Sequence, residues 1–337
     1  MNYYPDHARP LWRRALVNRE MAIVYLLVAT VAFSCLTVDN FAQSITVYNI
    51  LRNYFSALIL ALPMCLVMIT GDIDISVGSM VGLSCSLLGL MYISGVPFEL
   101  AMVVAIGVGA LGGLLNGLLV TRVGLPSLAV TLGTMALFRG LAVGALGTTT
   151  VTKFPEFWTA IPKYAIGETG VPVVMVFFAV LMAAFIWLLH FTAFGRGVYA
   201  IGLNSQAAAF SGVDSARTRT VLFVLAGTLS GVGGVYWTLL RGVARGDTGS
   251  GLELQVIAAV VLGGVSVFGG VGAVYGCVAG VLLIGVLANA LQVVGVTADI
   301  IKIITGGLLI ASVMAGSLIA WTKNRRVGAK AASAQTE

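Results

Sequence analysis

Apolar runs of nearly membrane-spanning length alternate with short polar intervals along the chain. They fall at about 21–38, 54–70, 75–94, 98–121, 124–146, 171–191, 220–240, 252–268, 271–294 and 300–320. A transmembrane helix needs about 20 predominantly apolar residues. The pattern therefore predicts an all-α, polytopic helical membrane protein with about ten transmembrane helices. The run at 54–70 is short, and 124–146 carries Pro126, Gly133 and Gly140. Both are candidates for broken or partly re-entrant passages. The intervals divide the chain into a tail at 1–20, a membrane region at 21–320 and a second tail at 321–337. Near the middle lies the polar, basic stretch 192–220, TAFGRGVYAIGLNSQAAAFSGVDSARTRT. Within it, Asn204 to Phe210 can make about two helical turns, with Asn204 or Ser205 as N-cap. Ala207, Ala208 and Ala209 give that helix a low-bulk face. The stretch is either a solvated connector or a surface that another protein approaches closely.

Composition sharpens this picture. Hydrophobic residues make up 59% and charged residues 9%, which excludes an ordinary soluble domain. Many of the 42 glycines lie four apart, as in Gly78/Gly82, Gly109/Gly113/Gly117, Gly227/Gly231 and Gly276/Gly280. That spacing suits close helix packing in lipid. The four cysteines, Cys35, Cys65, Cys85 and Cys277, sit in apolar runs and read as packing residues rather than disulfides or metal ligands. With the N-terminus inside, inner segments hold twelve Lys and Arg: Arg9, Arg13, Arg14, Arg19, Arg122, Arg196, Arg217, Arg219, Lys323, Arg325, Arg326 and Lys330. Outer segments hold six, Arg52, Lys153, Lys163, Arg241, Arg245 and Lys302, so both termini are expected to be cytoplasmic. The first apolar run is long enough to span and no cleavage site follows it, so no cleavable signal peptide is expected.

An internal repeat is faintly visible. Ile73-Asp74-Ile75 precedes the third span, and Asn116 lies near the end of the next. Leu252-Glu253-Leu254 opens the eighth, and Asn289 lies near the end of the ninth. Five spans is an odd number, so the two halves would be inverted, a recurring transporter arrangement.

Candidate chemistry is sparse. Gly107-Val108-Gly109-Ala110-Leu111-Gly112 fits a dinucleotide fingerprint in form, but it lies inside an apolar span with no strand before it and reads as helix packing. None of the five lysines follows a glycine, so the Walker A loop is missing and the chain is not expected to hydrolyse ATP. His7 and His190 lie far apart and form no metal or catalytic pair. Arg139 would cost about 2.5–3.5 kcal/mol at a helix centre, so it must snorkel, find an acceptor or line water. Asn116, Asn289 and Gln292 can join helices or face a permeant. Asp72, Asp74 and Glu253 can stabilise helix N-termini or contact a permeant. The outer interval 147–170, with Phe154, Phe157, Trp158 and Tyr164, is an interfacial aromatic belt or a docking rim for an external partner.

Four blocks together resemble the ribose-type family of bacterial ABC importer membrane subunits. They are Gly71-Asp-Ile-Asp-Ile-Ser-Val-Gly-Ser79; Leu115-Asn-Gly117 through Pro126 to Thr131-Leu-Gly-Thr-Met135 and Arg139-Gly140; Phe194-Gly-Arg196 through Gly202, Asn204 and Ser211-Gly212; and Gly251-Leu-Glu-Leu254 through Gly264 to Gly272. The resemblance covers about residues 50 to 295. It implies a permease in the bacterial cytoplasmic (inner) membrane that moves a monosaccharide or sugar-like solute, such as ribose, another pentose, rhamnose or an autoinducer-type molecule. It also implies a second permease copy or paralogue, separate ATPase subunits that hold ATP and Mg, and an extracytoplasmic sugar-binding protein, with no cofactor on this chain. The third block resembles the family's cytoplasmic coupling loop, which assigns Arg196, Gly202, Asn204, Ala207, Ala208, Ser211 and Gly212 to the ATPase contact. Asp72 stands where glycine is usual, Ser127 where proline or asparagine is frequent, and Leu203 where a smaller residue is usual. A secondary transporter of a small polar solute is the alternative. It would need a coupling-ion site, and an intramembrane carboxylate away from span ends would favour it; none is obvious in the sequence.

Overall fold

The computed structural model describes residues 19–308 together with Ile310 and Met314. The expected tails at 1–20 and 321–337 therefore lie outside the described residues, apart from the backbone of 19–20. The helices are α1 (Arg19–Thr37), α2 (Ser44–Ile69), α3 (Val77–Ile93), α4 (Phe98–Thr121), α5 (Ser127–Leu146), α6 (Glu156–Ala160), α7 (Val174–Phe191), α8 (Ala193–Leu203), α9 (Ser205–Phe210), α10 (Ser215–Arg241), α11 (Leu252–Leu262) and α12 (Val274–Val293). A further helix begins at 298. Among the described residues, α2, α4, α5, α7, α10 and α12 are long and apolar enough to cross a membrane, while Met21–Thr37, α3 and α11 are apolar but shorter.

The core forms around α2. Every residue from Phe55 to Ile69 is buried, which is what a helix apolar on all sides requires. It is enclosed by α7, α10, α11 and α12. The expected break at 54–70 does not occur. The helix runs through Pro63 and starts ten residues earlier, at Ser44. Its polar first turns are held by a Tyr48 hydroxyl donating to the Lys163 carbonyl (2.8 Å) and by Arg52 donating to Tyr48 (3.1 Å). Helix α5 is likewise continuous from Ser127, and a side chain at Gly133 or Gly140 would meet open space. In contrast, 252–268 is helical only to Leu262, where a loop with left-handed Gly264, Gly269 and Gly270 takes over.

α4 and α10 cross at backbone contact. A Cβ on Gly113 would lie 2.2 Å from the Phe223 carbonyl, and one on Gly109 would lie 2.4 Å from the Gly227 carbonyl. The glycine spacings 109/113/117 and 227/231 are thus two sides of one seam. Helices α5 and α7 are the least buried of the long helices and turn Leu132, Leu137, Val176 and Val180 outward. Outside the bundle, β1 (Val151–Thr152) pairs antiparallel with β2 (Val243–Ala244). Next to it Tyr92, Phe98, Phe154 and Trp158 form an aromatic cluster, and the Trp158 indole donates to Glu99 (2.8 Å). Phe154 and Pro162 of the 147–170 interval are buried, whereas Phe157 and Tyr164 are exposed.

Candidate functional site

Two pairs of helices are joined by non-helical backbone that runs into the bundle. The first break, 70–76, links α2 to α3; the second, 242–251, links α10 to α11. The Tyr236 hydroxyl near the end of α10 donates to the Arg52 carbonyl near the start of α2 (2.7 Å), while Arg219 near the start of α10 pairs with Asp72 just past the end of α2. The two helices are therefore antiparallel, and the breaks enter from opposite ends.

Backbone polar groups in such segments must find partners inside the protein. In the first break the buried Asp74 Oδ1 accepts from the Ser76 N–H (2.9 Å) and hydroxyl (2.6 Å), and Asn116 donates to that same hydroxyl (2.8 Å). Helix α5 holds Ile73 from the side: Thr131 donates to its carbonyl (3.1 Å), and its N–H donates to Ser127 (3.4 Å). The second break is held by Arg139 of α5. Its Nη1 donates to the carbonyls of Gly246 (3.0 Å) and Thr248 (2.6 Å), and its Nη2 donates to that of Gly78 (3.4 Å) at the start of α3. One planar guanidinium thus ties the two breaks together. Glu253 completes the junction. Its Oε1 accepts from the Gly251 N–H (3.2 Å), and its Oε2 is buried against Gly78, where a Cβ would come within 1.9 Å of it.

The stretch 192–214 lies at the end of the bundle marked by Ile69. Helix α8 starts on a cap in which Thr192 accepts from the Gly195 N–H (3.2 Å), and α9 starts on Asn204, which accepts from the Ala207 N–H (2.9 Å). Gly202 of α8 touches the Ile69 carbonyl so closely that a Cβ would fall 1.8 Å from it. That carbonyl also accepts from the Gly270 N–H (2.8 Å), and the Tyr199 hydroxyl donates to the Gly272 carbonyl (2.7 Å). The guanidinium of Arg219 makes a two-pronged ion pair with Asp72, which is 2% exposed and also accepts from Thr70 (3.2 Å). The stretch 192–214 thereby touches the last turn of α2 and the loop 263–273, and the adjoining first turns of α10 touch the first break.

A family model described as the permease component of the branched-chain amino acid transport system matches residues 46–313. The chain belongs to this permease family. The permease is 36% identical over 305 residues to the autoinducer 2 import system permease protein LsrD of Yersinia enterocolitica, covering 89% of this chain and 92% of that protein. It is 36% identical over 266 residues to the LsrD of Yersinia pestis strain Pestoides F, covering 77% and 79%. A metal-chelate type ABC transporter solved in an inward-facing conformation aligns over 89% of this chain and 98% of its own, at 17% identity and a TM-score of 0.47. The permease is a transport subunit that crosses the bacterial inner membrane several times. The secondary-transporter alternative is not favoured.

Of the expected path residues, Asp74, Asn116, Arg139 and Glu253 gather around the first turn of α3. Asn289 sits apart on α12, and its Oδ1 is buried with no hydrogen-bond partner among the described residues. On the expected coupling segment, Arg196, Asn204, Ala207 and Ser211 are exposed, Gly212 takes a left-handed turn, and Gly202 packs inward. Ala208 also turns inward at 3% exposure, because α9 packs back on α8 and α10, so the expected three-alanine face is not one surface. The outward face instead carries Phe210, 94% exposed, and Leu203, 73% exposed. Sequence reasoning missed the second break, although Gly242, Gly246, Gly249 and Gly251 within ten residues signal irregular backbone. It also missed the Asp72–Arg219 pair.

Proposed function

We propose that this chain is the translocation subunit for uptake of a neutral monosaccharide or a sugar-like solute of the autoinducer 2 type. In this reading about ten spans form two inverted halves, and both termini are cytoplasmic. A second permease copy or paralogue completes the path. Separate ATPase subunits, carrying ATP and Mg, dock on α9 and the end of α8 through Phe210, Ala207 and Leu203, and an extracytoplasmic binding protein delivers the solute. The observation that carries the reading is the wiring of the segment 192–219 to both the first break and the loop 263–273, through Asp72–Arg219, Gly202–Ile69 and Tyr199–Gly272. Nucleotide binding elsewhere, felt at α9, would then shift the population between outward-open and inward-open arrangements. Relatives that import autoinducer 2 support the solute class. The test is reconstitution in proteoliposomes with the ATPase and binding-protein subunits, followed by uptake of radiolabelled ribose, rhamnose and autoinducer 2. ATP-dependent accumulation of at least one is expected. Uptake that needs only an ion gradient, or none of the three solutes, would overturn the reading.

A further inference from the structure

Where the second break meets α11, a cavity of about 400 Å³ opens beside Tyr54, Trp237, Ser250, Gln255, Lys302 and Thr305. Its floor is the non-helical run Gly249–Gly251, in which Gly249 and Gly251 take left-handed backbone. The Gln255 amide faces the Tyr54 hydroxyl. The lining also presents a half-buried Trp237 indole and the Ser250 and Thr305 hydroxyls, which donate to the Asp247 (2.7 Å) and Ile301 (2.8 Å) carbonyls and can accept from a ligand. Its one ammonium, Lys302, is already paired with Asp299 (3.3 Å), and Glu253 turns away toward Gly78. The Arg241 guanidinium lies 5.7 Å from the centre of the Trp237 ring, and hydroxyl, amide and aromatic groups converge beside it. A neutral ligand rich in hydroxyls fits such a lining: the indole face covers its C–H surface, and the amide and hydroxyls meet its O–H groups. The volume lies within the roughly 300–1,000 Å³ typical of small-molecule pockets and accommodates one monosaccharide.

The position favours a transported solute over a structural filler. The cavity is built on the broken element, as permeant sites of transporters with discontinuous helices are. Exposed Leu254 is part of its lining. We propose that this cavity is the permeant-binding site contributed by this chain, taking one neutral monosaccharide-sized polyol, with Trp237 as stacking platform and Gln255 and Tyr54 as hydroxyl-reading groups. This rests on the transport reading given above.

The test uses the assembled importer in proteoliposomes, with Cys35 replaced by Ser to remove the exposed native thiol. Ser250→Cys should react with a membrane-impermeant methanethiosulfonate, whereas Val180→Cys, on an outward apolar face, should not. Ribose, rhamnose or autoinducer 2, whichever the wild-type assembly imports, should slow the Ser250→Cys reaction at least threefold. Trp237→Ala should lower uptake at least tenfold at sub-saturating solute, with Trp237→Phe keeping at least half. No modification of Ser250→Cys would mean that lipid or a partner subunit fills the cavity, and would overturn the assignment. So would modification that no imported solute slows, or equal losses in Trp237→Ala and Trp237→Phe. A wild-type assembly that imports none of ribose, rhamnose and autoinducer 2 sinks the transport reading itself, which an unprotected cysteine in a working importer does not.

Discussion

Arg139 occupies a position that its charge alone would make unfavourable, and its three carbonyl acceptors explain why it is tolerated. Lysine can reach a carbonyl but lacks the planar fork that spans both breaks. Arg139→Leu should therefore abolish uptake or accumulation of folded protein, and Arg139→Lys should retain a minor part of it, both read by uptake and by detergent-solubilised yield. Normal uptake by Arg139→Leu would show the side chain merely snorkelling. Asp72 is the second decisive residue. Removing one member of a buried ion pair costs about 3 kcal/mol, and Arg219 is half-buried while Asp72 is closed off. Asp72→Asn should thus lower the Tm of the purified permease by several degrees and uncouple ATP turnover from uptake. The paired exchange Asp72→Arg with Arg219→Asp should recover part of the loss. Neither feature was fully readable from sequence. Arg139 announced itself as a charge inside an apolar run, but its acceptors are backbone groups, which carry no residue-type signature. Asp72 announced only a departure from a pattern.

The short helix α9 is where docking can be tested at the scale of an element. It exposes Phe210 and Ala207, and Leu203 is exposed just before it at the end of α8, so an aromatic anchor stands among smaller neighbours. Phe210→Asp should leave membrane insertion intact, since the residue is 94% exposed, yet reduce co-purification of the ATPase at least tenfold. Retained co-purification with normal uptake would assign the ATPase contact elsewhere. A substitution at Ala208 would be a poorer probe, because it would disturb packing within the chain. Helix centres were legible because a 20-residue apolar run has few other uses. Ends were less so: α2 continues through Ser44–Asn53, where Tyr48 finds a partner in the loop at Lys163, and α11 stops at Leu262 although the apolar run continues. The breaks were the least legible, since burial by neighbouring helices, rather than local polarity, lets irregular backbone persist there.

Across the whole molecule, the end nearer the start of α10 carries the stretch 192–214 and the Asp72–Arg219 pair, while the opposite end is tied by β1–β2 and the aromatic cluster. The chain should show no ATP hydrolysis by itself, because no glycine–lysine phosphate cradle exists in its sequence. Turnover measured on the purified permease should equal a buffer control and rise only on addition of the ATPase subunit. Intrinsic turnover, with contaminants excluded, would overturn the division of labour.

The guanidinium that joins the two breaks also sets a schedule for biosynthesis. Gly246 follows Arg139 by 107 residues, and ribosomes extend chains at about 5–20 residues per second. For roughly 5–20 s after α5 leaves the ribosome, its arginine has two of its three final acceptors still unmade, and helix α7 must be inserted in the meantime. Nascent α5 therefore has to wait near the insertion machinery or a protective chaperone rather than settle directly into lipid. A ribosome stalled before Gly246 would leave a membrane intermediate marked by a single unmatched charge, which a membrane protease could recognise as unfinished.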